Sequence, residues 1–201
     1  MIRRFGRTER ALHWVHATGF FAMLATGLVL YLPALSELVA RRNLVKNLHL
    51  FSALAWAIAI VLVVALGDRR RLAADWREIE ALDRDDRSWL LGRPTAQGRF
   101  NAGQKLNALV TAAFAVLFAI SGFFLWLGER DHRYLFDGTG TVHDILTFLS
   151  VGLLVGHLYL ALIHPSTRHA LRGITTGEVD ESWARKHHAK WVEAENRPPL
   201  R

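Results

Sequence analysis

Four long stretches without a charged side chain limit most strongly what this chain can fold into. They contain 26, 21, 23 and 23 residues and are bounded by Arg10 and Glu37, Lys46 and Asp68, Lys105 and Glu129, and Asp144 and Arg168. The hydrocarbon core of a bilayer is about 30 Å thick, and about 20 helical residues cross it. Each stretch is therefore long enough to span a membrane. The first is too long for the apolar region of a cleaved signal, so we expect it to be retained.

The charges of the chain are segregated between these apolar stretches. The 201 residues include 25 basic and 18 acidic side chains, although 51% of the residues are hydrophobic. A soluble domain would mix the two kinds, so the chain belongs to the membrane class. We predict an all-α fold in a single domain, a four-helix transmembrane bundle. Its helices are expected at about 11–33, 47–67, 106–128 and 141–164, followed by a tail at 168–201.

The basic residues predict an orientation in the membrane. If the N-terminus lies inside, the inner segments carry 20 Lys and Arg residues, whereas the two outer loops carry 5. Basic residues concentrate on the cytoplasmic side of membrane proteins, so we expect both termini in the cytoplasm. The excess of positive charge is then a topology signal, and no basic-aromatic module indicates nucleic-acid binding.

Histidines are the strong transition-metal ligands of this sequence, which contains ten of them and no cysteine. The lack of cysteine excludes c-type heme attachment, cysteinyl iron–sulfur clusters and disulfides. His143 and His157 lie fourteen residues apart in the fourth apolar stretch. At about 100° and 1.5 Å per residue they share one helix face and lie about 21 Å apart along the axis. One histidine near each membrane surface is the arrangement of two stacked heme sites.

Each heme would need a second axial ligand at matching depth. His49 is expected near the outer surface beside His143, and His13 toward the inner surface, like His157, which favours two bis-histidine b-type hemes. His16 lies about one turn deeper than His13 and competes for the inner heme. Two other interpretations stay open: hydrogen bonding between helices, and zinc, although zinc sites usually cluster three or four ligands.

Short motifs occur in order along nearly the whole chain. The discriminating ones are Asn-Ala-Gly-Gln-Lys at 101–105 and Trp-Ala-Arg-Lys-His-His at 183–188, and others lie at 10–14, 47–49, 142–143, 156–159 and 177–179. In these motifs the chain resembles the cytochrome b (gamma) subunit of membrane-bound respiratory formate dehydrogenases. Four helices with heme histidines alone would also suit the cytochrome b subunits of nickel–iron hydrogenases and thiosulfate reductases.

The resemblance implies an electron-transfer subunit of the bacterial inner (cytoplasmic) membrane that is not an enzyme on its own. Its expected partners are an iron–sulfur (beta) subunit, which delivers electrons at the outer face, and a molybdenum- or tungsten-containing catalytic (alpha) subunit. Two heme b groups are implied, one held by His49 and His143 near the outer face and one by His13 and His157 near the inner face. The family motif thus favours His13 over His16. Asp144 departs from the family pattern and is expected to mark the membrane edge.

The same resemblance places a quinone site at the start of the third long helix. Asn101, Gly103 and Gln104 are expected in the pocket, with His157 adjoining it. Amide groups suit quinone carbonyls, and glycine lets a ring approach the backbone closely. Asn101 also suits the N-cap of the helix, and both roles can hold together. A plain membrane anchor that recruits a soluble enzyme is the other class of function left open, and heme content discriminates the two.

Two polar segments complete the sequence. The loop from Asp68 to Arg99 mixes acidic and basic residues, and we expect a solvated amphipathic segment over the inner-face site. The basic tail contains Trp183 and Trp191, whose pattern predicts an interfacial helix anchored by the two indole rings.

Overall fold

The structure is a computed structural model that describes residues 1–196, so the end of the predicted tail, 197–201, lies outside the described residues. In chain order the helices are α1 (Arg7–Tyr31), α2 (Pro33–Val39), α3 (Arg42–Leu66), α4 (Arg69–Glu80), α5 (Arg84–Leu90), α6 (Ala102–Gly128), α7 (Thr139–Leu158), α8 (Leu171–Thr175), α9 (Glu181–His187) and α10 (Ala189–Glu195). Two short strands, β1 (Ile2–Arg3) and β2 (Glu178–Val179), form a two-stranded sheet.

Four of the described helices are long and apolar enough to cross a membrane: α1, α3, α6, and α7 together with the turn that continues it to Ile163. They contain 25 to 27 residues, which at 1.5 Å per residue is about 38 Å or more. That length exceeds the hydrocarbon core, so the helix ends reach the headgroup layer or the helices tilt. The predicted all-α class with four spans is confirmed, and the chain is a multi-pass membrane protein.

The spans begin earlier in the chain than the apolar stretches do. Helix α1 starts at Arg7 and α3 at Arg42, four and five residues before the predicted starts of 11 and 47. Hydropathy marks the part of a helix that lies in hydrocarbon, whereas the first turn lies among headgroups. There, long basic side chains can extend to water from a helical backbone.

The apolar side chains of the spans point outward. No residue of the most apolar 18-residue stretch of α1 or α3 is buried, and the buried shares in α6 and α7 are 6% and 11%. Large side chains such as Phe51, Val61 and Ile163 are more than 60% exposed. Such a surface in water would forfeit most of the hydrophobic free energy of folding, so its surroundings are lipid.

The contacts divide the chain into two compact units. The first unit comprises Arg3–Ala74 and Gly173–Glu178; the second comprises Met1–Ile2, Asp75–Arg172 and the chain from Val179. In the first unit α1 packs along α3. Gly19 makes this packing close, because a Cβ there would lie 2.4 Å from Trp56 Cδ1.

The segment Gly173–Glu178 lies against the start of α1 within the first unit. Arg10 Nε and Trp14 Nε1 each donate to the Ile174 carbonyl at 3.3 Å. Gly177, with φ at 96°, accepts from the backbone N–H groups of Arg4 and Phe5 at 2.8 and 3.1 Å. These bonds account structurally for the arginine and tryptophan of the motif at 10–14.

In the second unit α6 packs along α7, and α7 ends in an unusual way. After Leu158 the backbone widens into a π-helical turn, Tyr159–Ile163, in which the His164 N–H donates to the Tyr159 carbonyl at 2.9 Å. Pro165 follows directly; it has no N–H to continue the helix and disfavours helical geometry in the residue before it. The wider turn therefore ends the fourth span at Ile163, two residues before the proline.

The tail forms a small core of its own in the second unit. Val179, Ala184, Trp191 and Val192 are buried together, with Ile2 and Trp183 packed against them. Trp191 is only 6% exposed, so the prediction that it anchors the tail in the membrane interface is wrong. Its indole fills a protein core instead.

Replacing Gly177 by Ala should destabilise the contact between α1 and the segment Gly173–Glu178. The left-handed backbone conformation would destabilise the folded variant by about 1–2 kcal/mol. The added Cβ would also lie 2.7 Å from the Phe5 carbonyl oxygen. The matched control is Gly92→Ala, which has a similar φ of 77° and, within residues 1–196, no atom within 4 Å of the added Cβ. We expect a larger fall in the melting temperature in detergent for Gly177→Ala. Equal falls would contradict the role of the close contact.

Candidate functional site

His49 of α3 is held by a hydroxyl of α1. Its Nδ1 lies 2.8 Å from Thr26 Oγ1, and the same oxygen lies 2.8 Å from the Ala22 carbonyl on its own helix. The neighbouring residue is Gly27, where an added Cβ would lie 3.4 Å from His49 Cε1. Thr26 therefore fixes the orientation of the ring, and Gly27 leaves space beside it.

His143 of α7 has the same surroundings, supplied by α6. Its Nδ1 lies 2.9 Å from Ser121 Oγ, which lies 2.8 Å from the Leu117 carbonyl. Again a glycine follows the hydroxyl residue, and a Cβ on Gly122 would lie 3.6 Å from His143 Cε1. Phe118 meets the ring edge-on at 5.1 Å between centroids.

The other predicted ligands differ in their surroundings. His157 is exposed on α7, and so are Gly152 and Gly156. A Cβ added to either glycine would meet no atom of the described residues within 4 Å, so a flat group can approach the backbone of α7 closely at the glycines. His13 is half-buried on α1, whereas the competing His16 packs its ring against Trp56 at 5.8 Å.

These residues fit a heme better than a clustered metal ion. Histidine nitrogen is the common axial ligand of b-type heme, and the glycines beside the imidazoles leave room for a planar ring. Among residues 1–196, no group of three or more His, Asp or Glu side chains is placed to hold one ion. The first unit contributes His13 and His49, and the second contributes His143 and His157.

The start of α6, where a quinone site was predicted, is a capping box. Asn101 Oδ1 accepts from the Gln104 N–H at 2.9 Å, and Gln104 Oε1 accepts from the Asn101 N–H at 3.1 Å. Asn101 therefore does cap the helix, which was its alternative role. The capping box uses both side-chain oxygens, so the atoms outside it are the two amide nitrogens, which donate. Gly103 packs against the ring of Trp89, 3.2 Å from the position of an added Cβ.

A buried ion pair fixes α5 to the first turn of α6. Lys105 Nζ donates to Asp86 Oδ2 at 2.7 Å and to the Ala81 carbonyl at 3.0 Å, and the two side chains are 7% and 4% exposed. Sequence reasoning assigned no function to Lys105, Asp86 or Trp89. The one signal in the sequence was that Lys105 belongs to the motif at 101–105. Its partner, Asp86, lies 19 residues earlier in an acidic run.

The loop before α6 is also bound by the tail. Buried Gln97 accepts from the Ala102 N–H at 3.0 Å through Oε1, and its carbonyl accepts from the Lys190 N–H at 3.1 Å. His188, 1% exposed, places Nδ1 2.8 Å from the Gly98 carbonyl. The tail motif therefore supports the helix start that carries Asn101.

Comparison with known proteins agrees with this structure. The family model of prokaryotic cytochrome b561 matches residues 4–177, so the chain belongs to that family of membrane cytochromes. It is 22% identical to the cytochrome b556(Fdn) subunit of nitrate-inducible formate dehydrogenase from Escherichia coli K12, over 95% of this chain and 90% of that protein. It is 24% identical to the formate dehydrogenase cytochrome b556 subunit of Haemophilus influenzae, over 96% and 83%. It is likewise 24% identical to the cytochrome b556(fdo) subunit of E. coli K12, over 94% and 91%. The resemblance predicted from the motifs is confirmed, and heme b is the cofactor that the family implies.

Replacing Lys105 by Met should leave Asp86 buried without its cation. Breaking a buried ion pair in this way costs about 3–5 kcal/mol, which we expect as a marked fall in the melting temperature in detergent. The control is Arg185→Met, which breaks the exposed Arg185–Glu181 pair on α9 and should cost less than about 1 kcal/mol. If both variants melted like the parent protein, the buried pair would not be stabilising α6.

The contact of the tail with α5 should depend on pH. Lys190 Nζ lies 2.9 Å from Asp83 Oδ2, and this hydrogen bond, with that from the Asp86 N–H, lowers the pKa of Asp83 from 3.8 to about 2. A lowered pKa means that the contact is complete above pH 3.8 and is lost as the pH falls toward 2. The protection of the backbone amides in 189–195 against hydrogen exchange, taken relative to the intrinsic exchange rate at each pH, should fall over the same pH range.

The matched control for the pH experiment is Lys190→Met. Without the ammonium group, the Asp83 pKa should return toward 3.8, and the protection relative to the intrinsic exchange rate should no longer change between pH 3.8 and 2. The same profile in parent and variant would rule out Lys190 as the cause.

Proposed function

We propose that this chain is the cytochrome b subunit of a respiratory formate dehydrogenase and carries electrons across the membrane to quinone. The observation that carries the proposal is the likeness, over nearly the full length of each protein, to subunits named for that enzyme. The chain would not be an enzyme on its own. Its partners would be an iron–sulfur subunit and a molybdenum- or tungsten-containing catalytic subunit.

Two heme b groups would be bound by four histidines. His49 and His143 would hold one heme near the outer face, and His13 and His157 the other near the inner face. When bound, heme b supplies reversible one-electron transfer at its iron. The four imidazoles would fix the two groups about 21 Å apart along α7, since His143 and His157 are fourteen residues apart. The packing of His16 against Trp56 supports His13 as the inner ligand.

Both termini would lie in the cytoplasm. The 20 basic residues of the inner segments, against 5 in the outer loops, support this orientation in the bacterial inner membrane. The iron–sulfur partner would then dock outside, and α4, α5 and the tail would lie on the inner side. Electron transfer inward would add to the membrane potential.

The quinone would bind near the start of α6. Asn101 and Gln104 would donate from their amide nitrogens to quinone oxygens, because their side-chain oxygens are engaged in the capping box. Gly103 and His157 would line the pocket. The Lys105–Asp86 pair would keep the first turn of α6 in place, and water on the cytoplasmic side would supply the protons that quinone reduction consumes.

Heme content tests the proposal. The purified protein should hold two hemes per chain by pyridine hemochrome assay. His49→Ala and His143→Ala should each remove the same heme, and His13→Ala and His157→Ala the other, because each imidazole would be one of the two side chains that hold its heme. His16→Ala is the control and should retain both. Loss of a heme in His16→Ala would reassign the inner ligand.

The same preparation distinguishes the alternatives. A protein without heme would leave the membrane-anchor interpretation. A heme-bearing protein that co-purifies with a nickel–iron hydrogenase or a thiosulfate reductase would disprove the formate dehydrogenase assignment while the cytochrome proposal stood. Co-purification with formate-oxidising activity and an iron–sulfur subunit is the result that we expect.

A further inference from the structure

Two hydroxyl-bearing residues stand in the same relation to two histidines in different parts of the fold. Thr26 of α1 contacts the His49 ring of α3, and Ser121 of α6 contacts the His143 ring of α7. In each case the atom contacted is Nδ1, and the next residue along the helix is glycine. The sequence shares this pattern, as Thr26-Gly27 and Ser121-Gly122 stand late in the first and third spans.

The hydrogen bonds around Thr26 determine which way the proton points. A threonine hydroxyl has one proton, and two backbone carbonyls, of Ala22 and Met23, lie 2.8 and 3.1 Å from its oxygen. Carbonyl oxygens only accept, so the proton is directed to them and the lone pairs of Oγ1 face the imidazole. We therefore assign His49 Nδ1, 2.8 Å away, as the donor. The Met23 carbonyl also accepts a hydrogen bond from this ring.

Ser121 leads to the same result. Its oxygen lies 2.8 and 3.3 Å from the carbonyls of Leu117 and Phe118, which again take its one proton. His143 Nδ1 lies 2.9 Å from Ser121 Oγ, and the same reasoning assigns this nitrogen as the donor. A neutral imidazole protonated on Nδ1 keeps its lone pair on Nε2, which is the nitrogen that can bind a metal.

We infer that Thr26 and Ser121 are positioning residues for one heme: each holds its histidine as the Nδ1–H tautomer, so that Nε2 is the ligand atom. The inference rests on the proposed function, since it takes His49 and His143 as the two ligands of the outer heme. A hydrogen bond from Nδ1 orients a metal-bound imidazole and raises its basicity. More electron donation to the iron stabilises the oxidised state, so the two hydroxyls should lower the reduction potential of this heme.

The glycines support the same role. Added Cβ atoms at Gly27 and Gly122 would lie 3.4 and 3.6 Å from the Cε1 atoms of His49 and His143. Cε1 lies between the two ring nitrogens, and the Cβ position at Gly27 also lies 3.8 Å from His49 Nδ1, so a larger side chain here would press on this edge of the ring. A hydroxyl serving only to join two helices would not need this clearance beside the ring.

The experiment is a redox titration, with optical and electron paramagnetic resonance detection, of the full chain in detergent. The variants are Thr26→Val and Ser121→Ala, which remove the acceptor with little change in volume. Each should retain two hemes and raise the midpoint potential of one heme, the same in both variants, with additive shifts in the double variant. The g values of that heme should also change. Thr26→Ser and Ser121→Thr should restore the parent potential.

A matched control separates positioning from packing. Thr147 of α7 donates to the backbone carbonyl of His143 at 2.9 Å. The variant Thr147→Val therefore removes a hydroxyl that is close to His143 but is bonded to its backbone and not to its ring. It should leave both potentials unchanged. If Thr26→Val lost the outer heme, restoration by Thr26→Ser would still support positioning by the hydroxyl.

Different results would contradict the positioning inference and the proposed function. Two hemes with unchanged potentials and g values in Thr26→Val and Ser121→Ala would overturn the positioning inference and leave the proposed function standing. Shifts in two different hemes would disprove the pairing of His49 with His143 and keep the two hydroxyls as positioning groups. A parent protein without two hemes would refute the proposed function itself.

Discussion

Hydrocarbon offers no hydrogen-bonding partner, and this constraint governs how the spans of this protein carry polar side chains. An imidazole inside a span has to be satisfied by another part of the chain or by a bound group. The hydroxyls of Thr26 and Ser121 meet that requirement for His49 and His143, and each is itself bonded to a carbonyl four residues earlier on its own helix. Each imidazole ring is therefore held by two successive hydrogen bonds, the second of which ends at a backbone carbonyl of the neighbouring helix. This arrangement requires small residues such as Gly27 and Gly122 next to the hydroxyls, because a hydroxyl side chain is too short to reach a ring across a wide gap between helices.

The spans and the candidate ligands could be predicted from the sequence because the signals for them are local. Apolar length is a property of consecutive residues, and a histidine among apolar residues is conspicuous without any knowledge of its neighbours. The family motifs added the preference for His13 over His16 as a candidate ligand and drew attention to the segment that begins with Asn101. Even there the structure adds a qualification. The oxygens of Asn101 and Gln104 belong to the helix cap, so only donor groups lie outside the capping box.

The polar segments, α4, α5 and the tail, could not be predicted in the same way, because their structure depends on contacts between distant residues. Trp191 lies in a basic, aromatic tail whose composition suits a membrane interface equally well, and only the packing of Val179, Ala184 and Val192 around it shows that it is buried. Lys105 and Asp86 form a buried pair across 19 residues, and neither position differs in type from the many exposed charges nearby. Burial distinguishes these residues, and burial is decided by tertiary structure.

The contact of the tail with the loop before α6 sets an order of maturation. His188 and Lys190 bind the backbone of Gly98 and Gln97, and both are synthesised after all four spans. The spans can therefore leave the ribosome and enter the bilayer while the start of α6 still lacks these contacts. Insertion comes first, and the loop before α6 gains these contacts only when the tail emerges. A chain whose spans had entered the bilayer while its tail was still inside the ribosome would thus lack the bonds of His188 and Lys190 to this loop.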